Sequence, residues 1–491
     1  MQLNKAVSYT LLGKFVRIFG MLAVLAIYGR YISPEEIGVF AVIFIAYQFF
    51  VPLLEGGLTN SFLKSDANTQ FLGKLHLLNL LLALLICSIL VISRSFIEDI
   101  FEVDISLFPL MIFCLFVVVS SLNVQRRGYF EKFKEFDTIF FVELVGFVVG
   151  SVISITMAIY NFGYLAIIAR YLFEALFVLC CYRLWFGLKI SFNLKKPNVK
   201  EYNLIKYGFK IAASRLLEGL TFSIDRIIVG ISYGASQLGF YLYSKNLASM
   251  PDQIIRQAIT HPLFSFLSEL GYEDSYKELQ KVTVAICIIV IPMIAMVVCF
   301  GDLMLELLMG PLWSEFGRNF QILGVFGMSL SLRGCLSILY ITNMNMKSWN
   351  RFVFAELALL IIVFSIFIII GLKIEEFIVM VAMYFFVFWS LVYLWKNMTE
   401  LHLNQSLSLK NILYSNQLLF VFACLVFIGF FVRFVSWNFL PDSILWSFII
   451  EFSLTLSVMI IYLACFYYFV KPDVLKTGYA WIKSNVLDRL D

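Results

Sequence analysis

Charged and polar side chains follow one side of two apolar segments in the middle of the chain. The first stripe spans about 120° of a helix at 100° per residue and comprises Ser214, Arg215, Glu218, Thr221 and Asp225. The second stripe comprises Lys245, Asn246, Ser249, Asp252, Gln253, Arg256, Gln257 and Thr260. Guanidinium groups bind phosphate oxygens two at a time, and carboxylates bind protons or sodium or pair with an arginine. The residue types therefore predict binding of an anionic group.

Other charges lie equally deep in apolar segments. Arg17 and Arg333 are examples, and an arginine at the centre of a membrane span costs roughly 2.5–3.5 kcal/mol. The candidates for binding an anionic substrate are Arg17, Arg215, Lys245, Arg256 and Arg333. The candidates for coupling or gating are Glu55, Glu218, Asp225, Arg226 and Asp252. The sequence predicts no catalytic residue and no metal site, because its three histidines are isolated.

The elements that position these residues are membrane spans. The chain has 491 residues, of which 61% are hydrophobic and 14% charged, with a mean hydropathy of +0.89. A soluble domain carries roughly 25% charged residues, so the composition predicts an all-α, polytopic membrane protein. Apolar runs of about 20 residues predict fourteen spans. They lie near 9–31, 37–62, 75–93, 107–124, 138–159, 162–185, 205–230, 237–268, 282–308, 319–341, 352–371, 376–396, 412–434 and 443–470.

The distribution of basic residues predicts the orientation of these spans. With the N-terminus inside, the cytoplasmic loops and tails hold 22 lysines and arginines and the outer loops hold five. Basic residues favour cytoplasmic loops, so both termini are expected in the cytoplasm.

A short sequence match predicts an internal repeat. GRYISPEEIGVF (29–40) and GISYGASQLGFY (230–241) share two glycines and an aromatic ending at an offset of 201 residues. The match predicts two parallel six-helix lobes around a central cavity, followed by two extra helices. The expected divisions are 1–187 for the first lobe, 188–203 for a basic linker, 204–400 for the second lobe and 401–491 for the extra helices and tail.

Two interpretations of the polar stripes remain open. The stripes could line a hydrated cavity, or they could form salt bridges that hold the lobes together. The number of polar positions favours the cavity, whereas Arg170 and Glu174, four residues apart, are expected to pair with each other. Asp225 and Arg226 are predicted to form an outer gate with Arg30 or a polar group of the second helix, or else only to anchor their own helix.

Two stretches carry a resemblance to a known family. YISPEEIGVFAVIFIAYQFFVPLLEGGLTNSFL (31–63) and DRIIVGISYGASQLGFYLYSKNLASMPDQIIRQAITHPLFSFLSEL (225–270) resemble the polysaccharide-transport branch of the MOP flippase superfamily. The resemblance implies a flippase of the Wzx type in the bacterial inner membrane. Such a protein moves undecaprenyl-pyrophosphate-linked oligosaccharides by alternating access, and its first-helix arginine corresponds to Arg17.

The alternatives belong to two classes. A lipid II or multidrug exporter of the same superfamily would share the fold, although a basic cavity disfavours cationic drugs. A membrane polymerase or ligase needs a large outer loop, and the predicted outer loops have at most about 15 residues, so an enzyme is not expected. The chain has no GxxxxGK[ST] phosphate loop, so the energy for transport is expected from a proton or sodium gradient or from the cargo's own gradient. The expected partners are the lipid-linked oligosaccharide, membrane lipids, a polymerase and a chain-length regulator, with no nucleic acid.

Overall fold

The residues that the structure describes are mostly helical. The computed structural model describes residues 2–65, 69–188, 190, 193, 195–253, 272–342, 346–371 and 373–403. Helices in these residues overlap each of the first twelve predicted spans. The thirteenth and fourteenth predicted spans lie outside the described residues. Within these described residues, six helices are long and apolar enough to cross a membrane: Pro34–Leu63, Thr69–Ile92, Leu107–Lys132, Phe136–Ile159, Tyr164–Trp185 and Trp349–Ile370.

The first half of the chain contains α1 to α8. Their bounds are Gln2–Tyr31 (α1), Pro34–Gln48 (α2), Leu58–Leu63 (α3), Thr69–Ile92 (α4), Arg94–Phe101 (α5), Leu107–Lys132 (α6), Phe136–Ile159 (α7) and Tyr164–Cys180 (α8). Short π-helices, Pro52–Gly57 and Cys181–Trp185, follow α2 and α8. The described part of the second half contains Val199–Ala248 (α9), Tyr272–Met309 (α10), Gly317–Thr342 (α11), Met346–Ile370 (α12) and Ile374–Leu403 (α13).

Three local features differ from the predicted spans. The second span is interrupted, because Pro52 lacks an amide N–H and begins the π-helical turn Pro52–Gly57. The seventh and eighth spans form one continuous element, α9, whose single break is Gly234 at φ 83°. Only glycine adopts this backbone conformation at low cost. The predicted outer loop after α4 contains the amphipathic helix α5.

Two compact units make up the chain. The first unit, within 1–242 and 350–371, holds α1 to α8, most of α9 and most of α12. The second unit, within 243–349 and from 372 onward, includes α10, α11 and α13. The start of α9, which follows the predicted linker 188–203, belongs to the first unit and packs on its helices. The predicted division into two six-helix lobes stays a prediction.

Small residues allow the helices of the first unit to approach closely. A Cβ on Gly150 of α7 would lie 2.6 Å from the carbonyl oxygen of Arg170 in α8, and one on Gly57 would lie 2.7 Å from that of Gly208 in α9. The Ser61 hydroxyl donates to the carbonyl oxygen of Leu204 at 2.7 Å. The first part of α9 is therefore fixed against the helix that follows Pro52.

Charged side chains fix the N-terminal end of α9 in the same unit. Lys74 of α4 lies 2.7 Å from the Glu201 carboxylate, which also accepts from the Asn198 amide N–H at 2.7 Å. Burial raises the pKa of the Glu201 carboxyl, but these two hydrogen bonds outweigh it and hold the pKa below its usual range.

Lys132 caps the C-terminal end of α3. Its ammonium group donates to the carbonyl oxygens of Phe62 at 2.9 Å, Leu63 at 3.1 Å and Ser65. The last carbonyls of a helix have no partner within the helix. The lysine satisfies them together with Ser65, whose N–H and hydroxyl donate to the Phe62 carbonyl oxygen at 3.0 Å and 2.8 Å. We expect Lys132→Met to lower the free energy of unfolding by about 1–3 kcal/mol.

Thermal unfolding of the purified protein in detergent measures this loss. Lys134→Met is the matched control, because Lys134 is exposed and follows the end of α6. Equal unfolding midpoints for the two variants would contradict the capping role.

Candidate functional site

A polar cavity lies within the first unit, with a volume of about 730 Å³. The helices α1, α2, α6, α7, α8 and α9 border it, together with the segment that runs from the end of α2 through α3. Aromatic side chains form much of its wall: Phe44, Tyr47, Phe116, Tyr171, Tyr182 and Phe222. Amides and hydroxyls add hydrogen-bonding groups, namely Gln48, Thr59, Asn60, Ser120, Asn123 and Ser223. Such a wall can contact the faces and the hydroxyls of a sugar.

An ion-pair network occupies one side of the cavity. Arg17 pairs with Glu174 and lies 3.8 Å from Glu143. Arg127 contacts Glu143 at 3.1 Å and Glu131 at 2.9 Å. Behind them, the expected pair of Arg170 and Glu174 is confirmed at 3.2 Å. Three arginines therefore face three glutamates, so this network is close to neutral as a whole.

The excess positive charge of the cavity comes from α9. Arg215 and Arg226 both line the wall, and neither forms an ion pair within the described residues. Arg226 donates to Gln48 Oε1 at 3.0 Å and to the Phe222 carbonyl oxygen at 3.1 Å. Because arginine keeps its charge at any ordinary pH, these two side chains make this side of the cavity attractive to an anion.

Three of the sequence-predicted residues meet in this cavity: Arg17, Arg215 and Arg226. Asp225 instead points to a buried position, where it accepts a hydrogen bond from Tyr241 across the Gly234 break. Glu218 does not line the cavity wall. Arg226 contacts Gln48, a polar group of the second helix, and the gating role of this region stays a prediction.

The remaining candidates lie elsewhere. In the second unit, Lys245 is buried and its ammonium group lies 4.5 Å from the Phe326 ring centre. Arg333 lies 5.4 Å from each of the Trp349 and Trp389 ring centres. Asp252 is fully buried. Arg256 lies outside the described residues, and so does the side chain of Glu55, whose backbone belongs to the π-helix Pro52–Gly57.

The sequence interpretation missed Arg127. It was assigned to a cytoplasmic loop because it follows the apolar run, but α6 continues to Lys132 and carries Arg127 into the cavity wall. A helical stripe could have revealed it: Ser120, Asn123, Arg127 and Glu131 recur every three or four residues, and all four line the cavity.

No three metal-ligating side chains come together among the described residues. The arrangement holds charged and polar groups for binding rather than a nucleophile next to a base. Groups of these types can bind anions and sugar hydroxyls.

Comparison with known proteins identifies the family. Residues 25–317 match the family described as polysaccharide biosynthesis protein. An uncharacterized membrane protein in the cps region of Klebsiella pneumoniae is 23% identical over 69% of this chain and 70% of its own length. The teichuronic acid biosynthesis protein TuaB of Bacillus subtilis (strain 168) is 22% identical over 54% of this chain and 55% of its own length. The succinoglycan biosynthesis transport protein ExoT of Rhizobium meliloti (strain 1021) is 22% identical over 66% of each chain.

Solved structures share the fold. The lipid II flippase MurJ, in an inward closed conformation, covers 94% of this chain and 98% of its own at 13% identity, with a TM-score of 0.66. An inward-facing multidrug MATE transporter of the MOP superfamily covers 80% of this chain and 96% of its own at 11% identity, with a TM-score of 0.61. The chain is thus a polytopic membrane protein with the fold of the MOP flippases and transporters, and it belongs to the polysaccharide biosynthesis protein family.

Proposed function

We propose that the protein is a flippase for undecaprenyl-pyrophosphate-linked oligosaccharide repeat units of an O-antigen, a capsule or an exopolysaccharide. The observation that carries the proposal is the pair Arg215 and Arg226, which gives a sugar-compatible cavity two positive charges without a carboxylate partner among the described residues. A pyrophosphate diester carries two negative charges, and arginine binds such oxygens in a planar, two-pronged contact. The aromatic and amide groups of the wall suit the attached sugars.

The proposed mechanism is alternating access in the bacterial inner membrane, with both termini in the cytoplasm. In one state the cavity admits the cargo from the cytoplasmic leaflet, and in the other it releases the cargo outside. The distribution of basic loop residues supports this orientation. A proton or sodium gradient is the proposed energy source, with Asp225 and Asp252 as the carboxylates to test. A polymerase and a chain-length regulator are the proposed downstream partners.

Transport by purified protein in vesicles tests the proposal. A polyprenyl-pyrophosphate-linked oligosaccharide with a fluorescent label is placed in the outer leaflet, and a membrane-impermeant reductant quenches whatever stays there. We expect the protein to increase the protected fraction of this lipid. Lipid II and a fluorescent cationic dye serve as parallel cargoes for the two rival exporter functions.

The three cargoes separate the outcomes. Transport of the oligosaccharide lipid, with little transport of the other two, supports the proposal. Preference for lipid II would assign the protein to peptidoglycan synthesis instead, and preference for the dye would make it a drug exporter. Lipid II is the more informative of the two rival cargoes. The fold of this chain is similar to that of MurJ, and lipid II also carries a pyrophosphate.

A further inference from the structure

A second polar cluster is buried between α4 and α6, apart from the cavity. It comprises His76 and Asn79 on α4 and Gln125 and Arg126 on α6. Each of these residues is at most 6% exposed, and none of them lines the cavity wall. The proposed flippase mechanism uses none of them.

The helix register brings the four side chains to one level. Cys87 on α4 contacts the carbonyl oxygen of Cys114 on α6 at 3.5 Å. Eleven residues back along α4 lies His76, and eleven residues forward along α6 lies Gln125. In antiparallel helices both steps cover about 16 Å in the same direction, so His76 and Gln125 lie at about the same level. Arg126 also lies close enough to His76 for its charge to act on the imidazole.

Side-chain atoms of Asn79, Gln125 and Arg126 are not satisfied by the described residues. Both side-chain atoms of Asn79 and of Gln125 lack a hydrogen-bond partner there, and so does Nε of Arg126. A buried polar group without a hydrogen-bond partner destabilises the folded state. Because several unsatisfied polar groups lie at one level of the folded protein, another molecule or ion must supply their hydrogen bonds.

The charge of Arg126 limits which molecule or ion can satisfy the cluster. Its Nη1 donates only to the Leu122 carbonyl oxygen of its own helix, and no carboxylate pairs with it among the described residues. The nearby charge that acts on it is that of Arg183, which has the same sign. Water can satisfy the two amides but leaves the guanidinium charge without a counter-ion. An anion accepts N–H groups from the arginine and both amides and also neutralises the charge, whereas the two amide oxygens still need a donor such as water.

We propose that α4 and α6 hold a small inorganic anion of the chloride class between Asn79, Gln125 and Arg126. The full burial of both amides limits the site to a small anion, because a phosphate or a lipid headgroup would need an opening to solvent or membrane. The anion is a structural counter-ion of the first unit and is separate from the cargo. The site does not depend on the proposed transport function.

Anion-dependent stability of the full-length protein in detergent tests the site. Thermal unfolding is measured in sodium gluconate and after its replacement by sodium chloride or bromide at constant ionic strength. We expect the midpoint to rise by roughly 4 °C at saturating halide. Arg126→Gln and Gln125→Leu should each abolish most of this rise, whereas Lys134→Gln, an exposed charge loss near the end of α6, should keep it.

Direct binding to the unaltered protein keeps the test independent of whether the variants fold. Radioactive chloride should bind by equilibrium dialysis at about one ion per chain, with bromide as competitor. Absence of both binding and halide-dependent stability would overturn the proposal and leave buried water or a carboxylate elsewhere in the chain as the partner. Stabilisation by inorganic phosphate or by phosphatidylglycerol vesicles, without an effect of halide, would overturn it as well.

Discussion

Replacement of Arg215 by glutamine is expected to reduce transport of the lipid-linked oligosaccharide by about a hundredfold, while the protein is still made and inserted. Truncating one partner of a charge pair in a binding site costs roughly 2–5 kcal/mol, and Arg215 has no carboxylate among the described residues that the substitution would leave stranded. The loss therefore falls on cargo binding rather than on folding. Arg215→Lys keeps the charge but removes the two-pronged contact, so an intermediate loss is expected.

Lys210→Gln is the matched control for this prediction. Lys210 is exposed on the same helix, one turn and a half before Arg215, and does not line the cavity. The vesicle assay with the fluorescent oligosaccharide lipid measures both variants, and the unfolding midpoint shows whether stability is unchanged. Normal transport by Arg215→Gln would remove the main support for pyrophosphate binding in this cavity.

A bulky residue at Gly38 is expected to produce the second large loss. Gly38 on α2 and Gly239 on α9 are the second glycines of the two matching sequence stretches, and they lie in a reciprocal contact within the first unit. A Cβ on Gly38 would lie 2.9 Å from the Cα of Ala235, and one on Gly239 would lie 3.1 Å from the carbonyl carbon of Pro34. Pro34 and Ala235 are themselves related by the offset of 201 residues.

The reciprocal contact predicts how a substitution acts. Valine at position 38 forces the two backbones apart, and overpacking of this kind costs about 1–3 kcal/mol. Under the predicted orientation the contact lies on the outer side, where it would close the cavity from outside. Gly38→Val should therefore disfavour the state in which the cavity is closed to the outside, and it should reduce transport by about tenfold or more. Gly38→Ala should have a smaller effect.

Cysteine accessibility measures the closed state directly. In a background without the nine native cysteines, Ser223→Cys places a thiol in the cavity wall. Gly38→Val should make that thiol react faster with a membrane-impermeant maleimide added from outside. Ser236→Val adds similar bulk at an exposed position of the same segment and should leave the rate unchanged. If Gly38→Val transports normally and labels at the original rate, the contact has no gating role.

The buried contact of Asp225 affects how the gate hypothesis is tested. Asp225 bonds to Tyr241 across the Gly234 break, whereas Arg226 bonds to Gln48 on α2. Asp225→Asn therefore tests the connection between the two parts of α9, and Gln48→Leu tests the connection between α9 and α2. Comparing the two variants therefore distinguishes a contact that only anchors the helix from a contact that belongs to the gate.

Sequence alone was sufficient for relations within single helices. The apolar runs predicted helices that the described residues contain at each of the first twelve positions, because a bilayer requires about 20 apolar residues in one piece. The spacing of Arg170 and Glu174 predicted their pair, since residues four apart are neighbours on any helix. The stripe of α9 likewise contained Arg215, which lines the cavity. These features depend on helical periodicity, which is the same in every helix.

Relations between helices required the tertiary structure. The spacing of residues does not show that Arg127 of α6 pairs with Glu143 of α7. It also does not show that Asp225 accepts a hydrogen bond from Tyr241 instead of lining the cavity. The neutral network and the contact of Gly38 with Ala235 join residues that are distant along the chain, and the excess charge of Arg215 and Arg226 depends on which carboxylates other helices bring to the cavity. Such partners are set by which faces pack together and at what register, and a one-residue shift along a helix turns each side chain by 100°. Helical periodicity therefore determined which side chains share a face, and packing alone decided which faces meet.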